Sequence, residues 1–532
     1  MASVRPLSKS DSLIRGRMGA HMNGASSSRA SVPEFSTPKA PATSEFSAPK
    51  EPEKHGELKL WQAYVHVVKG NVGPGCLSMP YAFSQGGLIP SLCIMIVFAP
   101  ACIYCMLLLV WSKHKMLLDG GARGVSPRQI NFEEVGVYAL GTMGGKIIEV
   151  FVLFTQLGVC SIYFDFCSTN LHAVFPNVEA KVFIILMTPV TMMTVLIRDA
   201  RGLVVFSTIA SFFIVSALLT IYGEVIPHLG GDLYKGPIRM FGQLDRVPLV
   251  FGSLAFAFEG IGLILPIESS LAENQRAGFP RVLGIGMTTV AIIFLITGVL
   301  CFVALGTVDN ASITASLLGV GLGEKVLDLL NMMVCAAVFL TYPLQFLPAA
   351  QIVEKKTGQD QTVTAKFRGI APEGASNEAV ALIPTGERAL TNAPMAAGTS
   401  DTRATEESVR LSINESSTPP PEAPPGCLRS CTWKGRLVPL WILLRMMLVL
   451  GTALCAYSLP DLGILITLIG SVCSTTLGLI LPPIIHQRLY GDTYSVARYT
   501  LHGAVMLIGV VGGSLGFFSA VKDLLASASG ER

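Results

Sequence analysis

The chain runs to 532 residues, of which 51% are hydrophobic and only 14% charged, with a mean hydropathy of +0.56 and a formal net charge of +3. One soluble core of this length would not bury so much apolar surface, so the composition is that of a polytopic membrane protein. The small net charge argues against a nucleic-acid partner. Neither HExxH nor GxxxxGK followed by Ser or Thr occurs, so no enzyme, metal or cofactor reading has support.

Residues 1–56 are rich in Ser, Ala and Pro without apolar periodicity, and they read as a disordered cytoplasmic tail. Eleven apolar stretches of about 20 residues follow, at 60–86, 88–111, 147–171, 182–197, 202–223, 248–268, 282–305, 326–350, 437–457, 462–485 and 499–521. They divide into spans one to eight within 57–356 and spans nine to eleven within 433–532. Between them, 357–432 is polar and Pro-rich, with Pro419-Pro420-Pro421, and reads as a disordered cytoplasmic insert. Lys50, Lys54, Lys59, Lys113, Lys115, Lys355 and Lys356 fall on one set of loops, which places that set and the N-terminus in the cytoplasm.

The first stretch cannot stay one helix. Its Gly73-Pro74-Gly75 withdraws helix propensity and a backbone donor at membrane depth, where freed N–H and C=O groups persist only if they line a cavity or bind something. Five spans later, Phe256-Ala-Phe258-Glu259-Gly260 puts a carboxylate beside glycine at mid-span, which costs about 2.5–3.5 kcal/mol unless the group faces the bundle interior. Breaks in spans one and six predict an all-α fold of eleven transmembrane helices with a five-plus-five inverted repeat, whose half-helix ends meet near the midplane. Asn71, Gly73, Gly75, Cys76, Phe256, Phe258, Glu259 and Gly260 are therefore the candidate substrate-binding residues. His66, an imidazole that titrates near neutral pH, and Glu259 are the candidates for carrying a proton. Thr341 in span eight offers a hydroxyl to a cation.

The segments HVVKGNVGPGCLSMPYAF (66–83), FGSLAFAFEGIGLILPIESSL (251–271), FLTYPLQFLPAAQIV (339–353) and LGILITLIGSVCSTTLGLILPPII (462–485) resemble the proton-coupled amino acid transporter branch of the amino acid/auxin permease superfamily. That resemblance implies eleven spans, the inverted repeat, and movement of small neutral amino acids with protons. In that branch a histidine placed like His66, three residues before Lys69-Gly-Asn71, is implicated in proton coupling. The function expected is secondary active transport of small neutral L-amino acids by alternating access, in a vacuolar, lysosomal or plasma membrane. The alternatives are sodium coupling, and an amino-acid sensor without net transport.

Overall fold

The computed structural model describes residues 58–121, 130–197, 200–229, 238–317, 323–358, 431–433, 436–438, 440–459, 461–491 and 494–529. Gly56–Arg532 forms one compact unit. The 1–56 tail lies outside the described residues, and so does the 357–432 insert except at its two edges. Cys431–Trp433 at the second edge pairs antiparallel with Arg436–Val438.

Everything else of length is helical. The first span is α1 (Leu60–Asn71), α2 (Pro74–Leu77) and α3 (Met79–Gly86), followed by α4 (Leu88–Leu118), α5 (Phe132–Val174), α6 (Ala180–Thr194) and α7 (Ala200–Val225). The sixth span is α8 (Val247–Ala257) and α9 (Ile261–Ser269), and α10 (Phe279–Leu305), the short α11 (Ile313–Leu317) and α12 (Glu324–Lys356) come next. After the insert stand α13 (Leu440–Ser458), then α14 (Leu462–Ile469) running through two π-helical turns into α15 (Leu481–Tyr490), and α16 (Val496–Ser529). Among the described residues nine helical segments are long and apolar enough to cross a membrane; the broken first span and the 15-residue α6 complete the eleven.

Local chemistry sets the interruptions. Pro74 opens α2, where its missing donor costs nothing. At 43 residues α5 would measure roughly 65 Å as a straight helix; Gly141, at φ 76°, breaks it between a first segment and the membrane span, a conformation that favours glycine. Asp461 caps α14 by accepting the Gly463 N–H at 2.7 Å. In the tenth span the Thr475 hydroxyl donates to the Gly470 carbonyl at 2.8 Å, within the widened turns.

The packing carries the repeat. The first span lies crosswise on the sixth, α1 on α9 and α3 on α8; α4 packs on α10, α5 on α12 and α6 on α13. The fifth span, α7, packs on the seventh and eighth (α10 and α12), and the tenth packs correspondingly on the second and third (α4 and α5). Exchanging each span for the one five places away in the other half thus converts one set of neighbours into the other, as two inverted five-helix repeats require. α16 stands outside this relation, against α8 and α14. Large apolar side chains such as Ile96, Phe154, Ile185, Leu219 and Leu507 point outward, as a lipid-facing belt must.

Ion pairs and a hydrogen bond tie spans three, four, eight and nine together. Arg445 Nε meets Glu354 Oε1 at 2.6 Å with both side chains buried, and Arg445 Nη1 donates to the Val195 carbonyl at 2.5 Å. Lys356 Nζ reaches Glu149 at 3.1 Å. Removing one partner of a buried pair strands the other, at about 3–5 kcal/mol. Arg445→Met should therefore lower the thermal unfolding midpoint of the purified protein sharply, and Arg445→Met with Glu354→Gln should recover most of the loss; equal midpoints for the single and double variants would contradict this.

Candidate transport cavity

The two breaks meet each other. α1 ends with the Val72 N–H on the Val68 carbonyl (3.0 Å), and α2 starts afresh at Pro74. In the sixth span Phe258, Glu259 and Gly260 close α8 with bonds to Leu254, Phe256 and Phe258 carbonyls (2.9, 3.1 and 2.8 Å) before α9 begins at Ile261. Glycine is needed where they touch. A Cβ on Gly75 would stand 2.8 Å from the Ala257 Cα, and one on Gly260 would strike the Asn71 side chain.

Beside this crossing lies a cavity of about 390 Å³, within the roughly 300–1,000 Å³ of small-molecule sites. Asn71, Gly73 and Gly75 line it from span one, Phe256 and Glu259 from span six, Thr341 from span eight, and His66 from the α1 wall nearer the surface. Asn71 donates its amide to the Val67 carbonyl at 2.8 Å, and among the described residues its buried Oδ1 has no partner. Glu259, half-buried, has no hydrogen bond to any described residue. Lys69 enters the same space and donates to the Thr208 hydroxyl at 3.4 Å. Thr341 donates to the Ala337 carbonyl at 2.8 Å.

Three sequence candidates lie outside the lining. Cys76 is buried with its thiol 3.4 Å from the Thr297 hydroxyl on α10. Phe258 packs edge-on to Phe294 (5.2 Å) and against Phe98 (5.8 Å), in the interface with α10 and α4. Gly260 backs Asn71. Other lining groups escape the sequence reading: Gln156 and Tyr163 on α5, seven residues apart and so on one helix face, and Ser207 and Ser211 on α7, one turn apart. Small polar side chains at helical spacing in otherwise apolar spans are the signal that could have found them.

Among the described residues the cavity opens at one end. His66 and Gly70 on α1 and Gly262 and Pro266 on α9 are exposed, whereas Pro74–Phe83 and Leu249–Phe258 are buried throughout. At the open end Glu268, fully buried, holds α9 to α4 through Lys113 (3.0 Å) and His114 (2.5 Å). The opposite face is shut. There Leu88 and Ile89 N–H groups donate to Arg239 and Met240 carbonyls, Gly242 N–H donates to the Gly86 carbonyl, and Val308 N–H donates to the Ser84 hydroxyl, all at 3.0 Å.

Residues 56–525 match a family model described as transmembrane amino acid transporter protein. The chain belongs to that family. It is a family of transporters and not of enzymes. The chain is 29% identical over 314 residues to the vacuolar amino acid transporter 4 of Saccharomyces cerevisiae, a match covering 57% of this chain and only 42% of the yeast protein. It is 22% identical to the amino acid transporter AVT3C of Arabidopsis thaliana, over 88% of this chain and 91% of that protein. Among solved structures it is similar to Mhp1, a nucleobase-cation-symport-1 family transporter in a closed conformation with bromovinylhydantoin bound, at TM-score 0.46 and 11% identity, covering 88% of this chain and 93% of that one. An Eremococcus coleocola manganese transporter gives TM-score 0.40 at 10% identity, over 91% and 94%.

The two glycines of the first break should separate under substitution. Gly73 has an extended φ of −156° and a Cβ there meets nothing within 4 Å, while Gly75 abuts Ala257 backbone. Gly75→Val should lose thermal stability and Gly73→Ala should keep it; equal melting of both variants would contradict the packing described.

Proposed function

We propose that this protein is a secondary active transporter that moves small neutral L-amino acids with protons by alternating access. The observation that carries the reading is the cavity itself, which joins both helix breaks to an acidic side chain and, among the described residues, opens to one face. In the first turn of α2 Pro74 has no N–H and the Cys76 N–H already bonds the Gly73 carbonyl at 2.9 Å, so the Gly75 N–H, at the positive end of the helix, is the amide offered to a carboxylate. Gly73 and Gly75 are there to let an α-carboxylate approach that backbone. Glu259 and the Asn71 Oδ1 then offer acceptors to the ammonium, and Phe256 bounds the side chain.

His66 and Glu259 are the proton carriers in this scheme. Both line the cavity, so each can exchange a proton with the open face while substrate occupies the breaks. The Lys-rich loops support a cytoplasmic open face. The yeast relative is a vacuolar amino acid transporter, which supports a vacuolar membrane. Thr341, on the cavity wall, is where a sodium ion would be held in the competing scheme.

Purified protein in liposomes, given imposed proton or sodium gradients, tests the reading. Neutral amino acid should accumulate under a proton gradient without sodium; accumulation driven by sodium alone would replace the coupling ion, and binding without flux would make the protein a sensor. In His66→Ala the proton-driven accumulation ratio should fall to about one while substrate binding persists, and an unchanged ratio removes His66 from coupling. Glu259→Gln should weaken binding by roughly 10–100-fold, the loss expected for a charge-assisted hydrogen bond.

A further inference from the structure

The shut face carries a second cavity, of about 320 Å³. Its walls are the pieces that close that face: Tyr81 and Ser84 at the end of α3, Arg239 and Arg246 before α8, Asp309 after α10, and Asp461 at the start of the tenth span. Two of its charges are committed. Arg246 Nη1 donates to Asp523 Oδ2 at 2.7 Å, and Asp461 caps α14. The other two differ. Arg239 and Asp309 are exposed, and neither side chain makes an ion pair or hydrogen bond with any described residue.

Opposite charges that line one cavity without meeting each other are matched by a ligand that carries both. A guanidinium takes a carboxylate in a two-point fork, and a carboxylate takes an ammonium. A simple anion or a simple amine would satisfy one group and meet repulsion from the other. The sites are wet, so the affinity is low and falls with salt.

The walls come together only because the face is shut. The Ser84–Val308 and Gly86–Gly242 bonds join the α3 end to the segments bearing Asp309 and Arg239. A ligand that binds only this arrangement stabilises it by mass action. We propose that this cavity is a second, low-affinity site for zwitterionic α-amino acids, which holds the face shut when amino acid builds up on that side. Its regulatory half rests on the alternating-access reading above.

Equilibrium binding of radiolabelled L-alanine and L-leucine to the full-length protein tests the site, beside flux in liposomes with and without unlabelled amino acid on the shut side. Wild type should show two classes of site. Arg239→Gln or Asp309→Asn should weaken one class tenfold or more and spare the other, and Glu259→Gln should do the reverse. Propionate and ethylamine should not compete at the class that Asp309→Asn removes. A single class abolished by Glu259→Gln and untouched by Arg239→Gln overturns this inference and leaves the transport reading standing. A single class abolished only by Arg239→Gln supports this cavity and overturns the central one. In flux, far-side amino acid should slow wild type several-fold and change Asp309→Asn little; equal slowing in both overturns the regulatory role.

Discussion

The structure depends on one close contact, the crossing of the two helix breaks at Gly75 against Ala257 and Gly260 against Asn71. Neither break is stable alone at membrane depth, because unwound backbone in hydrocarbon leaves donors and acceptors without partners. Set against each other, the breaks bury some of those groups and turn the rest toward a cavity. The small residues are what allow two backbones so near.

The inverted packing then divides the molecule by how tightly its parts are held. Spans three, eight and nine share buried or partly buried ion pairs through Arg445, Glu354, Lys356 and Glu149, and Arg445 also donates to the Val195 carbonyl at the end of span four. Spans one and six meet each other through glycine contacts, and a few backbone bonds, each worth only about 0.5–1.5 kcal/mol, join them to the shut face, while Glu268 ties span six to α4 at the open end. In the proposed alternating-access scheme the broken spans would move against the ion-paired set, with α4 held to α9 by the Lys113–Glu268–His114 cluster.

The pattern of breaks was legible because proline, glycine and a carboxylate are conspicuous in apolar spans, and the five-span offset followed from counting. The cavity lining was legible only in part. Cys76 and Phe258 stand within two residues of a break, yet helix rotation aims them at α10 and α4. Lys113 reads as a loop charge after a span ending at 111, but α4 continues to Leu118 and its buried ammonium is paired with Glu268, far away in sequence. The π turns of the tenth span leave no mark in apolar periodicity, and on α5 and α7 the helical spacing of Gln156 with Tyr163 and of Ser207 with Ser211 marks a polar face without saying that it meets the breaks.

Alternating access requires the two faces to move oppositely. Spin labels at Ser270 and Gln351 report the cavity mouth, and labels at Phe241 and Phe175 report the shut face; all four positions are exposed. Pulsed electron–electron resonance on protein in nanodiscs, with proton concentration and neutral amino acid varied, measures both distances. The account predicts two populations at each pair, with the mouth shortening in the same states in which the opposite face lengthens. Distances that stay single-valued under every condition, or that lengthen together at both faces, would contradict it.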